Sequence, residues 1–102
     1  MPLMQIISRR PLVEFWGKHP DAQGPLTAWY HEVETATWKG PNDVKASYAT
    51  ASVIGNNRVV FNIGGNKYRL IAAVLYPSHK VLIKFIGTHR QYDGIDAAKV
   101  EP

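Results

Sequence analysis

The chain has 102 residues, no cysteine and a formal net charge of +4. That length suits one domain, residues 1–102, able to bury a core without covalent staples. The missing cysteine excludes disulfides, thiolate chemistry and cysteine-based zinc sites. No apolar run approaches a membrane span and no long apolar segment opens the chain, so a cytoplasmic protein is expected, with no membrane partner.

In chain order, Met4 to Ser8 is short and apolar and reads as an edge strand. Pro11 fits the first turn of a helix, where its missing N–H costs nothing. Leu12, Phe15 and Trp16 then recur at helical spacing, so Arg10 to Lys18 predicts a short amphipathic helix. His19-Pro20 ends it, because a residue before proline avoids the α region. Asp21 to Trp38 predicts a second helix, bent or restarted at Gly24-Pro25, with Leu26, Trp29, Tyr30, Val33 and Ala36 as its buried stripe. Lys39 to Asp43 breaks it, and Asn42 or Asp43 is positioned to cap a short turn through Val44 to Ser47. Ala51 to Ile54 reads as a strand, turned at Gly55-Asn56-Asn57 into the next.

Arg58 to Asp93 then carries three runs rich in Val, Ile, Phe and Tyr, which predict a three-stranded meander. Gly64-Gly65 suits a tight two-residue hairpin turn. That turn sets Phe61 opposite Tyr68 and Val60 opposite Arg69. Alternation then divides the side chains. Arg58, Asn62, Lys67, Arg69 and Lys84 share one face, while Val59, Phe61, Ile63, Tyr68, Leu70, Val74, Val81, Ile83 and Phe85 share the other. After Tyr92, Asp93 to Pro102 is expected to be a short helix or a frayed end. Helices beside a run of strands argue an α+β fold with an antiparallel sheet.

Charge is unevenly spread. From Val44 to Tyr92 there is no Asp or Glu, yet the span holds Lys45, Arg58, Lys67, Arg69, Lys80, Lys84 and Arg90. A face that stacks such cations suits a polyanion.

No P-loop, dinucleotide fingerprint, nucleophile elbow or zinc signature is present. His19, His31 and His79 fall in expected turns or on a helix surface. His89 stands apart, because it follows a strand end beside Arg90 and three residues before Tyr92. Its ring exchanges a proton near neutral pH. Arg69 and Lys84 can hold a phosphate and offset charge developing on it, and Tyr92 can stack on a base or move a proton. An imidazole beside two cations suits RNA strand cleavage by the 2′-hydroxyl, and the same cations suit simple nucleic-acid binding.

FNIGGNKYRLIA, Phe61 to Ala72, followed by IKFIGTHRQYDGID, Ile83 to Asp96, resembles the HigB family of toxins within the RelE-like superfamily of mRNA interferases. The likeness extends through WKGPNDVKASY, Trp38 to Tyr48, and covers nearly the whole chain. It implies a RelE-like α+β microdomain with two amino-terminal helices on an antiparallel sheet. It implies cleavage of mRNA during translation on the ribosome, without metal or cofactor. It also implies neutralisation by a HigA antitoxin, a small helix-turn-helix protein through which operator DNA would be bound. By position, Arg69 matches the arginine used on the scissile phosphate, and His89 the catalytic position after the last strand. Tyr92 is the nearest aromatic candidate, and Lys84 joins the catalytic set. Lys67, Arg58, Asn62, Lys45 and Arg90 are the expected RNA contacts. HigB-like chains often carry an acidic residue between this histidine and tyrosine; here Arg90-Gln91 makes the site more basic. RelE-like folds also include gyrase inhibitors without nuclease activity, so that alternative and a noncatalytic ribosome-binding module stay open.

Overall fold

The structure is a computed structural model that describes residues 3–102. Five strands form one sheet: β1 (Gln5–Ile7), β2 (Ser52–Ile54), β3 (Arg58–Ile63), β4 (Tyr68–Leu75) and β5 (Lys80–Thr88). Their spatial order is β1-β5-β4-β3-β2. The β2 to β5 pairs are antiparallel, and β1 lies parallel to β5 at one edge. The fold is therefore α+β, and its sheet is antiparallel except at that edge. Among the described residues, no helix is long and apolar enough to cross a membrane.

Helix α1 (Arg10–Lys18) has the expected bounds, with Pro11 in its first turn. The long second helix does not run as expected. A 3₁₀ turn at Pro20–Ala22 precedes α2 (Gln23–Glu34). Pro25 is tolerated because first-turn N–H groups have no helical partner. The helix stops early where the Thr35 hydroxyl donates to the His31 and Glu32 carbonyls, and residues 36–38 are irregular. Helix α3 (Pro41–Ser47) starts at its proline, with Gly40 rather than Asn42 or Asp43 as N-cap. The Asp43 carboxylate instead accepts the Lys39 N–H at 2.8 Å.

The helices cover one face of the sheet. Leu12, Leu26, Trp29 and Val33 meet Val59, Phe61, Leu70, Ala72, Val74, Val81 and Ile83 in one buried cluster. Phe61 sits at its aromatic centre. Trp29 approaches it edge-on at 5.3 Å, Tyr48 edge-on at 5.2 Å, and Trp38 lies nearly parallel at 6.3 Å. Such offset and edge-to-face pairs suit the ring quadrupoles.

Two register expectations are corrected. The β3–β4 loop has four residues, Gly64 to Lys67, not two; Phe61 pairs with Leu70 and Asn62 with Arg69. Gly64 and Gly65 do take positive φ, 64° and 72°. Asn66 and Lys67 lie in the turn, where the Lys67 N–H bonds back to the Gly64 carbonyl at 3.4 Å. A shift of two residues keeps parity, so Arg58, Asn62 and Arg69 still share a face. Lys67 does not join them. It lies in the turn, and its ammonium donates to Asp21 at 2.6 Å.

The second correction is a β-bulge. Ile71 pairs with Phe85 but Ala72 pairs with Ile83, which leaves Lys84 as the extra residue. A bulge resets strand alternation. Phe85 therefore leaves the helix-facing side and shares the opposite face with Ile71, while Ile86 packs against the helix-side core. Gly87 makes room for this arrangement: a Cβ there would stand 2.5 Å from the Phe85 ring and 2.8 Å from Gln91.

The face expected to be open and basic is neither along much of its length. Val60, Ile71 and Ala73 on it are buried, and Arg58 is 4% exposed. The carboxy-terminal tail is tied across this end. Arg58 donates to the Ala97 and Val100 carbonyls and to the Glu101 carboxylate. Asn56 donates to the Ala98 carbonyl at 2.7 Å, and Lys84 to Glu101 at 2.7 Å. The tail is thus neither a frayed end nor a helix but a strap.

Lys84 first, and Arg58 with it, holds the Glu101 carboxyl below its ordinary value of 4.5. A depressed carboxyl pKa stabilises the folded form above the unfolded value and stops doing so as pH falls through the folded one. Tail anchoring should therefore be constant above that ordinary value and weaken below it. Hydrogen exchange of the amides at residues 97–101 should show protection at about pH 7, and less at about pH 3.5 or in Glu101→Gln. Equal protection of wild type and Glu101→Gln at neutral pH would mean that the carboxylate does not anchor the strap.

Candidate active site

Beyond Thr88 the chain turns at once into α4 (His89–Asp93). The sequence Thr-His-Arg-Gln makes a capping box. The Thr88 hydroxyl accepts the Gln91 N–H at 3.2 Å, and the Gln91 side chain accepts the Thr88 N–H at 2.9 Å. This box fixes His89 as the first helical residue and sets Tyr92 one turn on.

Three segments meet here. Arg69 extends from β4, near its turn. Its guanidinium donates to the Asn66 side-chain oxygen at 2.9 Å. The same oxygen lies 3.1 Å from His89 Nε2. Arg69 also stands over the Tyr92 ring, 5.6 Å from its centroid, within cation–π range. His89, Arg69 and Tyr92 are thus brought together, with Asn66 as the link between β4 and α4. Arg69, His89 and Tyr92 are each partly exposed and Asn66 is exposed, so the cluster is an open surface. A separate groove between α1 and α2, lined by Arg9, Leu12, Trp16, Thr27, Tyr30 and His31, contains none of them.

The other expected residues divide. Asn62 sits beside Arg69 on the next strand and donates to the Thr50 carbonyl at 3.3 Å. Arg90 is exposed on α4, next to His89. Arg58 and Lys84 are occupied by the tail, and the Lys84 side chain is 18% exposed. Lys67 is turned toward the helical layer. There Asp21 takes hydrogen bonds from both Lys67 and the Tyr68 hydroxyl, which lower its carboxyl pKa. Lys45 donates to the Ala49 and Ala51 carbonyls and fastens the loop after α3. Two of the remaining histidines have local roles: His31 bonds to Glu34, and His19 stacks on Phe15. Among the described residues, no group of three or more His, Cys, Asp or Glu is arranged to hold a metal.

Sequence reasoning missed Asn66. The Thr88–Gln91 spacing was the available signal for α4, but nothing marked Asn66: His89 lies 23 residues on, and the bond to Arg69 depends on a four-residue turn where two residues were expected.

A family model described as HigB_toxin, a RelE-like toxic component of a toxin-antitoxin system, matches residues 22–95. The chain belongs to the HigB toxin family. The matched segment runs from α2 through α4 and includes the whole Asn66, Arg69, His89 and Tyr92 cluster; the HigB-family match stops before the residues that strap Arg58. The chain is similar to the mRNA interferase toxin HigB of Escherichia coli (strain K12), 29% identical over 92 residues, or 88% of each chain. It has the same identity and coverage with the mRNA interferase HigB of Shigella flexneri. It is 26% identical over 92 residues to the mRNA interferase HigB of Escherichia coli O6:H1, covering 88% of this chain and 89% of that one.

Proposed function

We propose that this HigB-family toxin is an mRNA endonuclease that cuts translated message on the ribosome by a metal-independent route. The observation that carries the reading is the Asn66-linked pair of Arg69 and His89 beside Tyr92. The names of its relatives support the same substrate. An open cationic surface suits a strand already held in extended form by another particle, which is how a ribosome presents a codon.

In this reading Arg69 grips the scissile phosphate and offsets the charge that grows on it. The 2′-hydroxyl attacks the phosphorus. His89 takes the hydroxyl proton as the new O–P bond forms, and the bond to the 5′-oxygen breaks. The leaving oxygen takes a proton from the Tyr92 hydroxyl or from water. The products are a 2′,3′-cyclic phosphate and a 5′-hydroxyl end, so no outside oxidant, reductant or metal is needed. Asn62 and Arg90 flank the cluster as RNA contacts. Lys67, Lys84, Arg58 and Lys45 already serve protein groups and are left out of the direct contacts. A HigA-type helix-turn-helix antitoxin would neutralise the toxin by covering or distorting this surface, or by keeping the toxin off the ribosome, and would alone contact operator DNA. The whole chain would act as one cytoplasmic domain.

Purified toxin added to a translating extract tests the reading. Cleavage within translated codons, leaving 2′,3′-cyclic phosphate and 5′-hydroxyl ends, is the expected result. Intact message together with inhibited gyrase would replace this reading with the gyrase alternative. Intact message with toxin bound to ribosomes would replace it with the noncatalytic one.

A further inference from the structure

We propose that Asn66 is a positioning residue for His89: it holds the ring proton on Nε2 and leaves Nδ1 as the nitrogen that exchanges protons with substrate. The second half of this statement rests on the nuclease reading above; the first half stands on geometry alone.

The argument begins with Arg69, because a guanidinium can only donate hydrogen bonds. Its partner on Asn66 at 2.9 Å must therefore be the amide oxygen, not the amide nitrogen. This settles the orientation of an amide whose two ends otherwise look alike. The same oxygen is 3.1 Å from His89 Nε2. Two acceptors do not bond to each other, so Nε2 must carry a hydrogen. A neutral imidazole has one N–H and one lone pair. With the hydrogen on Nε2, the lone pair is on Nδ1.

Nδ1 is available. It has no hydrogen-bond partner among the described residues, and it is not one of the enclosed unpaired nitrogens, which are Trp29 Nε1 and His79 Nδ1. The ring is thus tethered at one nitrogen and open at the other. A histidine that waits for a substrate proton needs this arrangement, and the hydrogen bond made by one nitrogen commonly sets the chemistry of the other.

Asn66 also connects its own hairpin to a helix that the sequence separates from it. It stands in the β3–β4 turn, Arg69 on β4 and His89 on α4. One oxygen therefore aligns the cation and the imidazole with each other. During attack, the 2′-hydroxyl O–H bond breaks and an Nδ1–H bond forms. The imidazolium keeps its Nε2–H on Asn66, so the ring need not flip.

The test reads the tautomer without requiring activity. Protein labelled with ¹⁵N in histidine is examined by long-range ¹H–¹⁵N correlation at about pH 8.5, where an ordinary imidazole is neutral. Wild type should show His89 in a single form with Nε2 protonated. Asn66→Ala should give a mixture of both tautomers. Asn66→Asp keeps an acceptor oxygen and should restore the single form. An Nδ1-protonated ring in wild type, or an unchanged single form in Asn66→Ala, would overturn the assignment.

Rates form a separate arm. With wild-type toxin cutting RNA, Asn66→Ala should lower kcat on the order of 10- to 100-fold with a smaller change in KM, because misplacing a reacting group costs about that much. An unchanged kcat would remove Asn66 from the mechanism. If wild type gave the expected tautomer yet cut no RNA in any translating extract, the nuclease reading would fail while the placement of the proton survived.

Discussion

Alanine at His89 is expected to lower mRNA cleavage by about 10²–10⁴-fold, the usual contribution of a positioned acid or base, and to leave the melting temperature nearly unchanged. The ring is partly exposed and its hydrogen bond is to an exposed side chain, so truncation opens no core cavity. The capping box that holds α4 uses Thr88 and Gln91 and survives the change. Arg69→Ala should be about as inactive, and it should weaken RNA binding as well, because a guanidinium holds phosphate before and during the reaction. Primer extension on translated mRNA, run beside thermal melts, separates chemistry from folding. If His89→Ala stays folded and cuts at the wild-type rate, the proton must be taken elsewhere. Tyr92 would then be the next group to test.

Phe61→Ala should act on the other half of the molecule. The side chain is 1% exposed and stands among Trp29, Trp38 and Tyr48. Large rings on three sides cannot all move into the vacated space, so a loss of about 3–5 kcal/mol is expected. A domain of this size has only about 5–15 kcal/mol in total. Much of the variant should therefore be unfolded or close to it. Urea denaturation gives the number directly, and a loss under about 1 kcal/mol would mean that the aromatic cluster rearranges freely around the gap.

Much of the fold was legible because its signals are local. Leu12, Phe15 and Trp16 mark a helix by spacing alone. The runs around Phe61, Leu70 and Val81 mark strands by composition. Face parity survived an error in loop length because the error was two residues. The same reasoning failed at Lys84, where a bulge inserts one residue and turns Phe85 to the other side. No residue type signals a bulge reliably. The end of α2 was missed because Thr35 stops it by bonding backward, while the apolar pattern continues to Trp38. At the site, Arg69, His89 and Tyr92 could be picked by chemistry and by position relative to the strands. Arg58 was read as an RNA contact and Lys84 as a catalytic group, and their bonds to Glu101 went unseen because it is far away in sequence. Asn66 went unseen because His89 lies 23 residues on, and because the loop that brings Asn66 to Arg69 was expected to be two residues long.

The parallel edge has a consequence for the order of folding. Gln5 pairs with Lys80, so β1 closes a loop of about 75 residues, whereas β3, β4 and β5 join through short turns. Closure entropy grows with loop length, and contacts between distant residues form slowly. The meander should therefore assemble first and β1 should dock late. In a nascent chain the asymmetry is sharper: β1 leaves the ribosome well before β5 and waits for it. Arg69, His89 and Tyr92 likewise come together only after α4 has emerged. A ribosome making this protein would therefore build the helices and most of the sheet before the chain it carries has that cluster.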